Sequence, residues 1–148
     1  MVEPSRAKIE GGFEQIYQDG DVIVRERDKG SEMYIIQSGA VTVTKKTTKG
    51  EITLATLSRG DFFGEMALFE RARRSATVRA VGETRVLVLH AGNFLYRLRQ
   101  DPTFVFEMIQ KMCKRIRRLN EELARISDRA KLDPQLPENI SAETEFIE

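Results

Sequence analysis

The sequence predicts a mainly β domain, of the sandwich, barrel or roll type, followed by helices. Two observations predict this fold class: short strand-like runs separated by glycines occupy residues 12–90, and a helical period of apolar residues follows them. Strands that recur about every 8–12 residues with turn residues between them are typical of all-β folds. The glycines are Gly20, Gly30, Gly39, Gly50, Gly60, Gly64 and Gly82.

Seven runs in this first part have the composition of strands. Residues 41–44 alternate between valine and threonine, as a strand with one buried face does. Residues 33–36 are continuously apolar, which favours a central position in the sheet. We predict strands at residues 13–17, 21–25, 33–37, 41–45, 52–57, 76–80 and 85–89.

The second part is predicted to be helical. Residues 93–100 form a short helix, and Asp101 and Pro102 then fit the N-cap and first position of a long one. Its apolar residues alternate in steps of four and three, which predicts a coiled-coil seam, although an ordinary amphipathic helix is the alternative. We expect its first half to pack on the β-domain and its second half to form a homodimer. The seam residues are Val105, Ile109, Met112, Ile116, Leu119, Leu123, Ile126 and Ala130.

Composition argues against several classes of function. The net charge is +1, from 24 Lys+Arg and 23 Asp+Glu, which argues against a domain that grips a polyanion. One cysteine, Cys113, and one histidine, His90, exclude an internal disulfide and a Cys/His zinc site within one chain. Residues 1–10 carry no apolar leader, and no apolar run reaches the roughly 18 residues of a membrane span. We therefore expect a cytoplasmic protein without a membrane segment.

Residues 60–80 carry the candidate chemistry. Gly64 permits a sharp turn, and residues 65–69 are long enough for about one helical turn. The first amides of such a turn have no backbone partner, so they form a natural site for an anion. A loop follows, and then a strand begins near Arg74.

Strand alternation separates Arg74 from the neighbouring arginines. Arg74 shares the parity of Ala76, Val78 and Ala80, which form the apolar, inward set. An inward guanidinium cannot lose its charge, so it requires an anionic partner. Glu65 is one candidate, in a structural ion pair, and a ligand phosphate is the other. The residues on the opposite, solvated face are Arg73, Thr77 and Arg79.

This stretch resembles a known motif. Phe-Gly-Glu-x-Ala-Leu at 63–68 and Arg-Ser-Ala-Thr-Val at 74–78 are similar to the phosphate-binding cassette of cyclic nucleotide-binding domains. That family includes catabolite activator protein and the regulatory subunits of protein kinase A. The similarity runs from about residue 13 to 129. It implies an eight-stranded, jelly-roll-like β-roll at about 12–90, helices at about 91–130, and an acidic, flexible tail at 131–148.

The resemblance also implies a role for each site residue. Glu65 resembles the carboxylate that accepts the ribose 2′-hydroxyl, and Arg74 the arginine that clamps the cyclic phosphate. The Ala67 and Ser75 amides, with the Ser75 hydroxyl, resemble further phosphate donors, and Gly64 resembles the glycine that lets the backbone approach the sugar. The implied ligand-binding set is Gly64, Glu65, Met66, Ala67, Arg74 and Ser75, with Val43, Leu54 and Leu57 facing the purine and Asn120 near its edge.

Cyclic AMP is the expected ligand, ahead of cyclic GMP, and no other cofactor is expected. The family's cyclic GMP binders often carry Thr where this chain has Ser75, and the Asn120 amide would meet the adenine amino group. A solvated polar residue is the alternative for Asn120. Elsewhere, Arg27 stands where the family usually has glycine in Glu-Gly-Asp, so that turn is expected to be made differently.

We expect this chain to be a regulatory module and not an enzyme. Glu65 with His90 is its only conceivable acid–base pair, and no nucleophile elbow or Walker loop is present. Too few residues follow the long helix for the winged helix-turn-helix of DNA-binding relatives, so an unidentified protein effector is expected and direct DNA binding is not. The alternatives are a dimerisation scaffold that has lost its ligand, or a fragment of a larger regulated protein.

Overall fold

A computed structural model describes residues 11–132. Within this part of the chain, a mainly β domain is followed by helices, which confirms the predicted fold class. The elements are β1 (Phe13–Tyr17), β2 (Val22–Val24), β3 (Met33–Thr47), β4 (Gly50–Ser58), β5 (Phe62–Phe63), α1 (Glu65–Glu70), β6 (Thr77–Leu89), α2 (Ala91–Gln100) and α3 (Pro102–Leu132).

The strands form one antiparallel sheet. Its order is β1-β6-β3-β4, while β2 pairs with β6 and β5 pairs with β3. The start of β3 is central, as predicted, because Tyr34 pairs with Val88 of β6 on one side and with Phe63 of β5 on the other. The positions most deeply buried in this sheet include Met33, Ile36, Val41, Val86 and Leu89.

The described residues contain six strands, against the seven runs predicted from the residues and the eight strands that the resemblance implies, because two long strands bend instead of ending. Each of β3 and β6 contains two of the predicted runs, joined through Gly39 (φ 84°) and Gly82 (φ 68°) respectively. The register of β3 against β6 shifts between Ile36 and Ala40, as at a β-bulge. A Cβ on Gly39 would overlap the Glu83 carbonyl oxygen, so glycine is required for the bend. Dividing each long strand at its glycine recovers the expected roll of eight.

The helices begin close to their predicted positions. The short helix α2 begins at Ala91, two residues early, since the His90 ring Nδ1 accepts the Gly92 N–H at 3.0 Å. Asp101 caps α3 as predicted, with its Oδ1 3.3 Å from the Phe104 amide nitrogen. The helix extends to Leu132, so the first two residues of the predicted tail are helical. The rest of that tail lies outside the described residues.

The described residues divide into two compact units, at 11–100 and 101–132. The second unit is α3, and four large side chains of its predicted seam remain 40–55% exposed in the single chain. None of the described helices is both long enough and apolar enough to cross a membrane, and the cytoplasmic location stays a prediction. The exposed seam residues are Ile109, Ile116, Leu119 and Ile126.

Candidate functional site

The site is built around the turn that leads into α1. Gly64 precedes the helix with φ 81°, in the left-handed region that favours glycine. A Cβ at this position would stand 2.8 Å from Arg74 Nη1 and 3.0 Å from the Glu32 carbonyl oxygen. The turn therefore needs glycine both for its conformation and for the close approach of the arginine.

Arg74 is buried, as strand parity predicts. Its exposed fraction is 8%, and those of Ala76, Val78 and Ala80 are 9%, 4% and 2%. The neighbouring Arg73 is exposed. The alternation between an inward and an outward face thus extends from β6 back through the residues that precede it.

The Arg74 guanidinium is held by the backbone of two other segments. Nη1 donates to the carbonyl oxygens of Glu32 (2.8 Å) and Gly64 (3.2 Å). The guanidinium carbon lies 5.7 Å from the centroid of the Tyr34 ring. Three ion pairs join Lys45 to Glu26, Arg79 to Glu51 and Arg85 to Glu14, and Arg74 takes part in none of these three.

Tyr34 forms an apolar support beside this guanidinium. Its ring stacks on Phe63 with centroids 4.9 Å apart, and its hydroxyl lies 3.5 Å from Glu32 Oε2. Burial raises the pKa of Tyr34 to about 12, and the nearby Glu32 charge acts in the same direction. Tyr34 is therefore a neutral phenol at physiological pH and contributes no charge to the site.

A cavity of about 300 Å³ adjoins Arg74 on the side of the loop between β2 and β3. Of the predicted ligand-binding residues, only Arg74 lines it, so the sequence did not predict this cavity. A Cβ on Gly30 would overlap the guanidinium, which shows how closely the loop covers it. The lining residues are Ile23, Val24, Arg25, Asp28, Lys29, Gly30, Ser31, Glu32, Tyr34 and Arg74.

The cassette residues of α1 and the strand start lie near one another. Glu65, Met66 and Ala67 form the first turn of α1, where Ala67 is buried and Met66 is half exposed. The Ser75 hydroxyl lies 3.8 Å from Met66 Sδ, so Ser75 borders the same helix. Together with the contact between Arg74 and Gly64, these distances bring the two halves of the motif to one place.

The predicted purine-facing residues are less uniform. Val43 and Leu57 are partly buried and pack against the core cluster. Leu54 is 51% exposed and lies where the register between β3 and β4 shifts. It is therefore less buried than Val43 and Leu57. Asn120 lies on α3, in the second unit, and its place beside a ligand stays a prediction.

The turn at Arg27 is made without the family's glycine. Arg27 has φ 73°, in the left-handed region that glycine favours and that an arginine seldom adopts. Its N–H donates to the Arg74 carbonyl oxygen at 2.7 Å, while the Arg74 N–H donates to the Asp28 carbonyl at 2.9 Å. This pair of bonds holds the backbone of Arg74 and offsets a conformational cost of roughly 1–2 kcal/mol.

Sequence reasoning missed a polar cluster at the end of the cassette. Lys45 Nζ donates to the Ser75 carbonyl oxygen at 2.8 Å and lies 3.5 Å from Glu26 Oε2. The Lys46 N–H, bonded to Glu26 Oε1 at 3.0 Å, holds the pKa of Glu26 below its usual value, and the Lys45 ammonium acts in the same direction. The available signal was strand parity, since Lys45 has the same parity as Val43, although its side chain is 45% exposed.

Comparisons with known proteins identify relatives of this chain. The family model described as "Cyclic nucleotide-binding domain" matches residues 14–101. The chain is 44% identical over 80 residues to the cAMP-dependent protein kinase regulatory subunit of Mycosarcoma maydis, covering 53% of this chain and 15% of that protein. It is 32% identical over 114 residues to the cyclic AMP receptor protein of Thermus thermophilus, covering 76% and 53% respectively.

The fold agrees as well. The crystal structure of Thermus thermophilus catabolite activator protein superposes with a TM-score of 0.71 at 29% identity, covering 85% of this chain and 61% of that one. The chain thus spans about a seventh of the kinase subunit and about half of the receptor protein. A family match over more than half of the sequence and a shared β-roll lead to one conclusion: the chain belongs to the cyclic nucleotide-binding domain family.

Proposed function

We propose that this chain is a sensor that binds a cyclic mononucleotide, cyclic AMP ahead of cyclic GMP, and holds its phosphodiester charge with Arg74. The observation that carries the proposal is the burial of Arg74 beside Gly64, with its guanidinium bonded to carbonyl oxygens. The names of the relatives support it, since they describe a cAMP-dependent kinase regulatory subunit and a cyclic AMP receptor protein.

The charges fit such a ligand. A cyclic phosphodiester carries one negative charge at any physiological pH, and a guanidinium presents its donors in a planar fork. Charge-assisted hydrogen bonds contribute about 1.5–3 kcal/mol each. A ligand of about twenty heavy atoms at about 0.3 kcal/mol per atom would bind in the micromolar range, which suits a signal that rises and falls.

The remaining ligand contacts follow the family resemblance. We infer that Glu65 accepts the ribose 2′-hydroxyl, that the Ala67 and Ser75 amides bind the phosphate, and that Val43 and Leu57 face the purine. The half-exposed Leu54 would then cover the open side of the base. Ser75, whose hydroxyl lies beside Met66, is the basis for placing adenine ahead of guanine.

These residues favour a binding role without catalysis. His90, the only histidine, uses its ring Nδ1 to accept the Gly92 N–H at the start of α2. A ligand-free scaffold is the second candidate, and the burial of Arg74 argues against it, because a buried guanidinium without an anion is costly. Since the chain spans only part of its relatives, a role inside a larger regulated protein is compatible with the same site.

We infer that α3 carries the output of the sensor. Ile116 at an a position and Leu119 at a d position are 45% and 55% exposed, and both belong to a heptad seam. Large apolar side chains repeated at this spacing fit the same seam on a second copy of the chain. Ligand binding would then change the position or order of α3 and pass the signal to a protein effector.

Calorimetric titration of the full chain tests the ligand. We expect cyclic AMP to bind with a micromolar Kd, cyclic GMP more weakly, and linear 5′-AMP at least tenfold more weakly, because its free phosphate carries additional charge and a different shape. A 2′-deoxy analogue of cyclic AMP should bind the natural chain more weakly than cyclic AMP does. Glu65→Ala, which lacks the proposed acceptor of that hydroxyl, should bind the analogue and cyclic AMP equally. Glu70→Ala, at the other end of α1, is the matched control. Failure of both cyclic nucleotides to bind at millimolar concentration would contradict the proposed function.

A further inference from the structure

Glu26 and Lys45 form an ion pair at the end of the cassette, here named the Glu26–Lys45 bracket. We propose that the bracket positions Ser75 for ligand binding, with Lys45 and Glu26 as positioning residues that need not touch the nucleotide. The inference rests on the proposed function, because it assigns these residues a role in the affinity of that site. Neither residue belongs to the cassette motif, because Lys45 lies on β3 and Glu26 lies in the loop after β2.

Lys45 reaches the cassette from β3 with a side chain that is 45% exposed. It shares the parity of Val41, which is fully buried, and of Val43, which packs against the core. Its Nζ lies 2.8 Å from the Ser75 carbonyl oxygen and 3.5 Å from Glu26 Oε2. An ammonium has three donors and no acceptor, so it is suited to joining a carbonyl to a carboxylate.

Glu26 is anchored on both its side chain and its backbone. Its side chain is 13% exposed, Oε1 accepts the Lys46 N–H at 3.0 Å, and its own N–H donates to Thr77 Oγ1 at 3.0 Å. The carboxylate is therefore fixed between β3 and the start of β6. Because Glu26 holds Lys45 from a fixed point, the ammonium is directed at the Ser75 carbonyl instead of moving freely in solvent.

The bracket acts on the peptide that follows the phosphate-binding residues. The Ser75 carbonyl belongs to the peptide between Ser75 and Ala76, and Lys45 fixes its direction. The preceding peptide is fixed by the Arg27 N–H, which bonds the Arg74 carbonyl oxygen at 2.7 Å. Because a trans peptide is planar, with its C=O and N–H pointing in opposite directions, that bond also sets the direction of the Ser75 N–H. Both peptides of Ser75 are thus held from the 26–28 segment and β3.

This arrangement predicts that the bracket contributes to affinity through preorganisation. A donor that is already oriented loses less conformational freedom when the ligand binds. Removing either member of the bracket should therefore weaken ligand binding while the fold persists, and removing the second member afterwards should add little. The adjacent Lys46 provides a matched control, because its side chain is exposed and the structure uses its backbone N–H in the bracket.

The test is calorimetric titration of cyclic AMP into the full chain and its variants. We expect Lys45→Met and Glu26→Gln each to raise the Kd for cyclic AMP three- to tenfold, and the double variant to raise it no further. Lys46→Met should keep the Kd within twofold of the natural chain. Lys45→Arg, which keeps the positive charge, should recover the affinity of the natural chain. Thermal melting of each variant checks that it is folded. The ¹⁵N shift of the Ala76 amide, whose peptide contains the Ser75 carbonyl, should change in Lys45→Met without ligand and stay unchanged in Lys46→Met.

The possible failures are distinguishable. If the natural chain binds neither cyclic nucleotide, the proposed function fails, while the Ala76 shift still reports whether the bracket holds the peptide. If the natural chain binds and folded Lys45→Met binds equally well, the bracket proposal is overturned. It is also overturned if Lys45→Met weakens binding and Glu26→Gln does not, because Lys45 would then act without its anchor.

Discussion

A guanidinium keeps its proton at any physiological pH, so burying Arg74 places a permanent positive charge inside the roll. Two carbonyl oxygens and a tyrosine ring stabilise this charge in part without neutralising it. An anionic ligand would complete the compensation. At the scale of single residues, the proposed affinity for a phosphodiester would therefore follow from where one arginine is held.

Arg27 provides a stability test at the same scale. Its left-handed φ of 73° costs an arginine roughly 1–2 kcal/mol, and glycine avoids that cost but loses about 0.5–1 kcal/mol in entropy. Arg27→Gly should therefore raise the free energy of unfolding by about 0.5–1 kcal/mol, measured by urea denaturation. Lys29→Gly in the same loop, where φ is not positive, should give no gain. A loss of stability in Arg27→Gly would show that the arginine side chain, and not the backbone, maintains the turn.

How well the sequence predicts a residue depends on the range of its partners. Arg74 could be predicted because strand alternation is a local pattern, and its exposure follows that of Ala76 and Val78. The contact between Lys45 and Ser75 joins residues thirty positions apart, so strand parity indicates a face for Lys45 but not its partner. The conformation of Arg27 was also missed, because propensity disfavours a left-handed arginine and tertiary hydrogen bonds override that preference.

At the scale of elements, the glycines inside β3 and β6 explain the difference in strand count. A glycine between two apolar runs is compatible with a turn that ends a strand and with a bulge that bends it. Only the pairing partners distinguish the two, and here β3 and β6 pair on both sides of Gly39. The order of runs and their faces could therefore be predicted, and the continuity of the strands could not.

The exposed seam of α3 predicts a dimer. Sedimentation at micromolar concentration should give twice the mass of the chain, because Ile116 and its heptad neighbours would bury their apolar surface against a second copy. Ile116→Glu should be monomeric, since a carboxylate in the seam is costly to bury. Lys114→Glu, on the opposite face of the helix, is the matched control and should remain dimeric.

The same preparation tests whether α3 senses the ligand. Cyclic AMP should change amide hydrogen exchange across residues 109–126, because the proposed output requires α3 to change its position or order. A monomeric natural chain would contradict the dimer. Unchanged exchange in that segment, with ligand bound, would contradict the role of α3 in the output.

At the scale of the whole molecule, the candidate site gathers segments that are distant in sequence. Four segments meet around Arg74 and Ser75: the loop after β2, the strand β3, the turn before α1 and the start of β6. A ligand bound there would touch or tighten contacts among these segments, so binding should couple to the stability of the roll. The sequence motif covers only the last two of them, which is why half of the supporting structure was not predicted.

The measurement that tests the central claim most directly compares two neighbouring arginines by calorimetry with cyclic AMP. Arg74→Ala should weaken binding at least tenfold, about 1.4 kcal/mol, whereas Arg73→Ala, on the exposed face, should bind within twofold of the natural chain. Arg74→Lys, which keeps the charge without the planar fork, should fall between them, and melting curves confirm that each variant is folded. Binding of cyclic AMP by folded Arg74→Ala with unchanged affinity would contradict the account.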